Sequence, residues 1–253
     1  MMKKVILSLL IIIFLVSCQD GEKYSEIVVK DNQIEFDGIY YDVQSVLEMT
    51  YEYNVKDQVA KTVLKFNDET STSEFYYDND LLVEEKRISP HMTNHVYYEY
   101  DDGRKVKQTF VSDAGNLITE FEYEEDKRKI TFYDTDGSIS HYNEGFVDED
   151  GNIIDFVSYD KNDVQSSHTV NTFEENLMIR SVSETVDGTS FKSYYEYDKF
   201  GNKTFAYRVR FSEDILMYLD FYEYEYKKDL IVHMKKYRVQ SVIEENQIRS
   251  YWD

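Results

Sequence analysis

Histidines, carboxylates and tyrosines are the residues of this 253-residue chain that could do chemistry, with 5 His, 50 Asp and Glu together, and 24 Tyr. His91 and His95 stand four apart, which suits a zinc ion when both rings lie on one helix face. Pro90 precedes them and aromatic residues in strand-like alternation follow, so the pair falls on a loop and a strand, where that spacing does not bring two rings to one metal. His141, His168 and His233 are scattered along the chain. Two D-x-D-G fragments, at Asp134-Thr135-Asp136-Gly137 and Asp148-Glu149-Asp150-Gly151, set oxygen ligands at alternate positions before a bend, as a calcium loop does. The twelfth position of such a loop would be Gly145 in one and Tyr159 in the other, and neither supplies a carboxylate. Hairpin turns with solvated acids are the better reading. Carboxylate pairs for glycoside hydrolysis are too abundant to single any out, and no G-x-S-x-G elbow occurs. The expectation is therefore no catalytic residue, no metal, no cofactor and no enzyme.

The chain opens with Lys3-Lys4 and an apolar run over 5–16, shorter than the roughly 20 residues of a membrane span and suited to a secretory h-region. Leu15-Val16-Ser17-Cys18 resembles the lipobox of bacterial lipoproteins, which implies cleavage before Cys18 and acylation of that cysteine. Cys18 is the only cysteine, so no intramolecular disulfide is available. Loss of residues 1–17 would remove two lysine charges and move the formal charge from −22 to −24. So acidic a chain does not suit nucleic acid or anionic headgroups, whose phosphates demand Lys and Arg. Membrane attachment would rest on the acyl chains at Cys18, and the expected location is the outer membrane, at the cell surface or the periplasmic face.

The elements that would position any site are read from repeats. Glu74-Phe75-Tyr76-Tyr77-Asp78, Tyr97-Tyr98-Glu99-Tyr100-Asp101 and Glu120-Phe121-Glu122-Tyr123-Glu124 align, with Tyr77, Tyr100 and Tyr123 at 23-residue intervals. Later copies at Tyr159, Tyr197 and Tyr224 are spaced unevenly. Turn signals separate them: Asp102-Gly103, Gly115-Asn116, Asp136-Gly137, Asp150-Gly151-Asn152, Asp187-Gly188 and Gly201-Asn202 all tolerate positive φ. Between turns the pattern has period two, as in Phe205, Tyr207 and Val209 against Ala206, Arg208 and Arg210, which marks strands. The expected fold is all-β, a long antiparallel meander of about 16 to 20 short strands, forming an open, curved repeat sheet.

Tyr197-Asp198-Lys199-Phe200-Gly201-Asn202-Lys203 resembles the YD, or RHS, repeat, and Tyr100-Asp101-Asp102-Gly103-Arg104 is similar with one residue fewer. Tyr159-Asp160-Lys161-Asn162-Asp163 keeps the pair without the glycine. The resemblance implies sheets that serve as scaffold or adhesion surface. The organisation expected is a signal peptide over 1–17, a lipidated N-terminus and tether over 18–29, and a β-hairpin repeat domain over 30–253. The function expected is non-catalytic binding or adhesion at the envelope, with a protein or glycan partner on the tyrosine-rich face. The alternatives are a structural part of an envelope assembly or a polysaccharide hydrolase.

Overall fold

A computed structural model describes residues 28–30, 33–36, 39–210 and 215–239, and these are built from strands and turns. The strands are β1 (Val28–Lys30), β2 (Gln33–Phe36), β3 (Ile39–Tyr53), β4 (Val59–Phe66), β5 (Glu69–Asp78), β6 (Leu81–Ile88), β7 (Thr93–Asp101), β8 (Arg104–Ser112) and β9 (Gly115–Tyr123). The second half continues with β10 (Lys127–Tyr133), β11 (Ile139–Val147), β12 (Ile153–Asp160), β13 (Gln165–Glu174), β14 (Leu177–Thr185), β15 (Ser190–Tyr197), β16 (Lys203–Arg210), β17 (Ile215–Lys227) and β18 (Leu230–Val239). The all-β meander of the sequence reading is present. The signal segment and Cys18 lie outside the described residues.

The open, curved sheet is not what forms. Each strand from β3 onward pairs antiparallel with the next, and β18 then pairs with β3, from His233↔Thr50 to Val239↔Val43. Of the 18 strands, β1 and β2 stand outside as a hairpin extension of β3, and the other sixteen close into a barrel. Closure removes the bare edges that an open sheet would expose. Local alternation cannot announce it, because the closing partners stand at opposite ends of the sequence. What permits closure is the length of β3: its 15 residues serve β2 at one end, β18 in the middle and β4 at the other.

The turns explain the glycines. In six of them, starting at Asn54, Asp134, Asp148, Asp160, Thr185 and Asp198, the N–H of the first residue reaches the carbonyl of the fifth, and the fourth residue's N–H returns to the first carbonyl. The fourth position has positive φ in every case, filled by Asp57, Gly137, Gly151, Asp163, Gly188 and Gly201. Asp163 thus stands where the Tyr159-Asp160 copy lacks its glycine. Four two-residue turns instead hold both residues at positive φ, at Asn79-Asp80, Asp102-Gly103, Glu175-Asn176 and Lys228-Asp229, the type I′ geometry that matches strand twist. Gly145 has another role. It sits mid-strand opposite Phe156, where an added Cβ would come within 2.4 Å of the Asp155 carbonyl.

The register gives the wall two faces. One carries Glu48, Lys235, Glu74, Lys86, Glu84, His95, Glu99, Lys107, Lys129 and Glu144, paired across strands at 2.7–3.8 Å. We call it the ion-pair face. The opposite face carries the tyrosines at the strand ends and small residues such as Ser193 and Thr169, and is the more closely covered. Nearly every packing contact between elements joins neighbours in the ring, as expected at a strand number where barrels enclose an aqueous space. An apolar cluster lies on the ion-pair side of β16–β18, where Phe205, Tyr207, Val209, Leu219, Phe221, Tyr237 and Val239 are buried together with Ile34 and Tyr41 of the N-terminal hairpin. Phe205, Tyr207 and Val209, one side of the period-two pattern, are all there, each at most 3% exposed.

Candidate functional site

The tyrosine array comes first, because the sequence singles it out. The odd-numbered ring strands end at one rim of the barrel, where every hairpin ladder except β9–β10 is broken by a β-bulge just before the turn. A bulge locally interrupts ladder bonding, and the next hairpin's tyrosine hydroxyl donates to the carbonyl beside it. Tyr77 reaches Val59, Tyr100 reaches Leu82, Tyr123 reaches Lys105, Tyr197 reaches Met178 and Tyr224 reaches Lys203, all at 2.7–2.9 Å. Tyr53 of the first ring hairpin donates to Ile231 of the last at 2.8 Å, so the seam is tied in the same way as these five junctions. At Ile153 the amide of Asn171 takes the tyrosine's place, at 2.9 Å. The 23-residue interval is therefore the length of one hairpin, and these hydroxyls are committed to the backbone. Burial pushes the Tyr197 hydroxyl up to about 12 and raises those of Tyr77 and Tyr100, so all three remain donors at neutral pH. Tyr159 ends β12 at the other rim, where its ring stacks on Tyr142 at 4.9 Å.

The remaining candidates resolve into structure. His95 Nδ1 meets Glu84 at 2.7 Å and its ring stacks on Tyr97, while His91 is exposed in the preceding turn. Among the described residues, no group of three His, Cys, Asp or Glu side chains is placed to hold a metal ion. The carboxylate of Asp148 accepts from the backbone N–H groups of Asp150 and Asn152 and from the Asn152 side chain, and Asp136 accepts from Ser138. Both D-x-D-G fragments thus aim a carboxylate at their own turn.

A different surface emerges on the tyrosine-bearing face of β15–β18. Register places Phe191, Ser193 and Tyr195 beside Arg210, Arg208 and Ala206, then Tyr218, Asp220 and Tyr222, then Arg238 and Lys236. Each cation lies over a ring: Lys203 over Tyr195 at 4.1 Å, Arg208 and Arg210 over Phe191 at 4.7 and 5.6 Å, Lys236 over Tyr222 at 5.5 Å and Arg238 over Tyr218 at 4.8 Å. Among the described side chains of these strands, Asp220 is the one carboxylate on this face. Only 2% exposed, it takes Arg238 Nε and Nη2 at 2.8 and 2.9 Å and Lys236 Nζ at 2.7 Å. Among the described side chains, this face of β15–β18 thus gathers five cations and one carboxylate in a chain of net charge −22. Burial and then the charge of Lys236 lower the affinity of Lys203 for its proton, and burial followed by Asp220 pushes the Tyr222 hydroxyl up to about 12.

Sequence reasoning missed this patch. Arg208 and Arg210 were visible at alternate positions on a strand, but the register that brings Lys236 and Arg238 beside them was not. The signal available was local: six of the chain's cations fall in the short stretches 203–210 and 235–238 of an otherwise acidic sequence.

No family model matches the chain, and no curated protein does. Among solved structures, a porin-like protein from Bacteroides vulgatus is similar at 11% identity and a TM-score of 0.44, over 79% of this chain and 99% of that one. A porin-like protein from Bacteroides uniformis gives 12% and 0.41, over 77% and 95%. A TcdB2-TccC3-Cdc42 structure gives 13% and 0.32, over 77% of this chain and 12% of that one. None of these three reaches a TM-score of 0.5, and the closed barrel rests on the strand pairings of this chain alone.

Proposed function

We propose that this protein is a lipid-anchored, non-catalytic binding protein of the outer membrane, held by acylated Cys18 and carrying its partner on the tyrosine-bearing face of a barrel that does not itself span the bilayer. The single observation that carries the reading is the charge on both faces of the wall. A membrane-spanning barrel needs an outward apolar band about 25 Å tall, and a lysine or arginine at mid-depth costs roughly 2–4 kcal/mol. Here the ion-pair face carries paired charge on eight of the sixteen ring strands, and the opposite face carries Glu85-Arg87, Arg208, Asp220 and Arg238. Attachment then falls to the N-terminus, where two or more buried acyl chains suffice. Ring closure also weakens the alternative of an assembly component that pairs by strand addition, because β3–β18 have no free edge to offer.

Cys18→Ala tests the reading. The variant is expected to leave the membrane pellet for the soluble fraction with its barrel intact by circular dichroism. If it stays in the pellet after an alkaline carbonate wash, the wall or the apolar leader holds the membrane and the proposal fails.

A further inference from the structure

We infer that the cation-aromatic patch on β15–β18 is the binding site, and that its ligand is a carboxylate-bearing saccharide chain. The inference rests on the binding reading above and names the ligand class. Charge is the first argument. Lys203, Arg208, Lys236 and Arg238 share one face of β15–β18, where Asp220 is the one carboxylate among the described side chains, so this face is complementary to an anion in a chain that is strongly acidic elsewhere. Arg208 extends that argument: it lies between Ser193 and Tyr218 in the register, and its buried Nε has no hydrogen-bond partner.

Surface chemistry selects a saccharide over an acidic protein. Charge is depleted at the core of a protein interface, whereas cations run through the middle of this strip, and among the described residues none of the exposed large hydrophobic ones lies on this face of β15–β18. What adjoins the cations is small and polar, the half-buried Ser181 and Ser183, the latter accepting from buried Thr169 at 2.9 Å. Tyr195, Tyr218 and Tyr222 add rings that are apolar on their faces and polar at the tip. Polar, aromatic and positively charged, the strip suits an extended polyol that carries regular carboxylates.

Calorimetric titration of the full-length protein in detergent, with oligogalacturonate as the probe, tests this. Binding is expected at low salt, weakening as salt rises. Arg208→Gln with Lys203→Gln is expected to weaken it at least tenfold with an unchanged far-ultraviolet spectrum, and Lys56→Gln in a remote turn to leave it unaltered. Equal binding of a neutral galacto-oligosaccharide would overturn the role of charge, and equal binding of polyglutamate would overturn the saccharide assignment. No binding of oligogalacturonate overturns the inference outright. If envelope proteins are then captured through the same arginines, the broader binding reading survives and only the ligand class fails.

Discussion

Asp148 and its counterparts show how a single side chain here does a structural task that resembles metal chemistry. The Asp148 carboxyl is held below its usual range by the Asn152 side chain and by the backbone N–H groups of the turn, and Asp160 is held down by the N–H groups of Val164 and Asn162. A depressed folded value means that the stabilisation is present above the unfolded pKa of about 3.9 and is lost as pH falls through the folded value. Asn54 performs the same task without a charge, its Oδ1 accepting from the N–H groups of Lys56 and Gln58. Asp148→Asn with Asp160→Asn should therefore keep neutral-pH stability and flatten the loss between pH 4 and pH 2 in thermal melts. A large loss at pH 7 would show that the charge, not the acceptor geometry, organises these turns. The turns themselves were legible wherever glycine marked them. Lys228 and Asp229 at positive φ were not, because nothing in their type requests that conformation.

At the scale of the element, strand existence and facing followed from period-two alternation, since one buried face imposes that pattern on Phe205, Tyr207 and Val209 whatever the tertiary context. The tyrosine spacing was also legible, but its meaning was not. A tyrosine every 23 residues reads equally as a binding row or as a joint, and only the hydroxyl-to-carbonyl bonds decide for the joint. Each such bond is a neutral one, worth about 0.5–1.5 kcal/mol net. Tyr77→Phe should cost that much in urea denaturation, and Tyr53→Phe should cost the same, because its bond to Ile231 is the equivalent one across the seam. A neutral Tyr53→Phe beside a destabilising Tyr77→Phe would mean that the first and last hairpins do not meet. The cation-aromatic patch lay beyond sequence reasoning for a related reason: cations on β16 and β18 share a face only once β17 sets the register between them.

For the molecule as a whole, the decisive quantity is whether the last strand finds the first. An open repeat array and a closed ring share every hairpin and every neighbour contact except one, so composition, circular dichroism and most substitutions do not separate them. The seam does. Thr50 and His233 are direct partners across it, and paired residues of antiparallel strands have Cα atoms about 4.5–5.5 Å apart, within the span that a disulfide bridges. In an open sheet the same two positions would lie at opposite ends of the array. Thr50→Cys with His233→Cys, in a Cys18→Ala background that removes the only natural thiol, should oxidise to a monomeric, internally linked species that migrates faster on a non-reducing gel. Because the bridge closes a very long loop, it should stabilise the fold by about 5 kcal/mol by the loop-entropy scaling, read as a higher melting temperature that falls back on reduction. Free thiols in the folded monomer, or disulfides formed only between molecules, would leave β18 unpaired with β3 and return the fold to an open sheet. The ligand strip would survive that outcome, since β15–β18 are consecutive hairpins, but the tethered barrel would not.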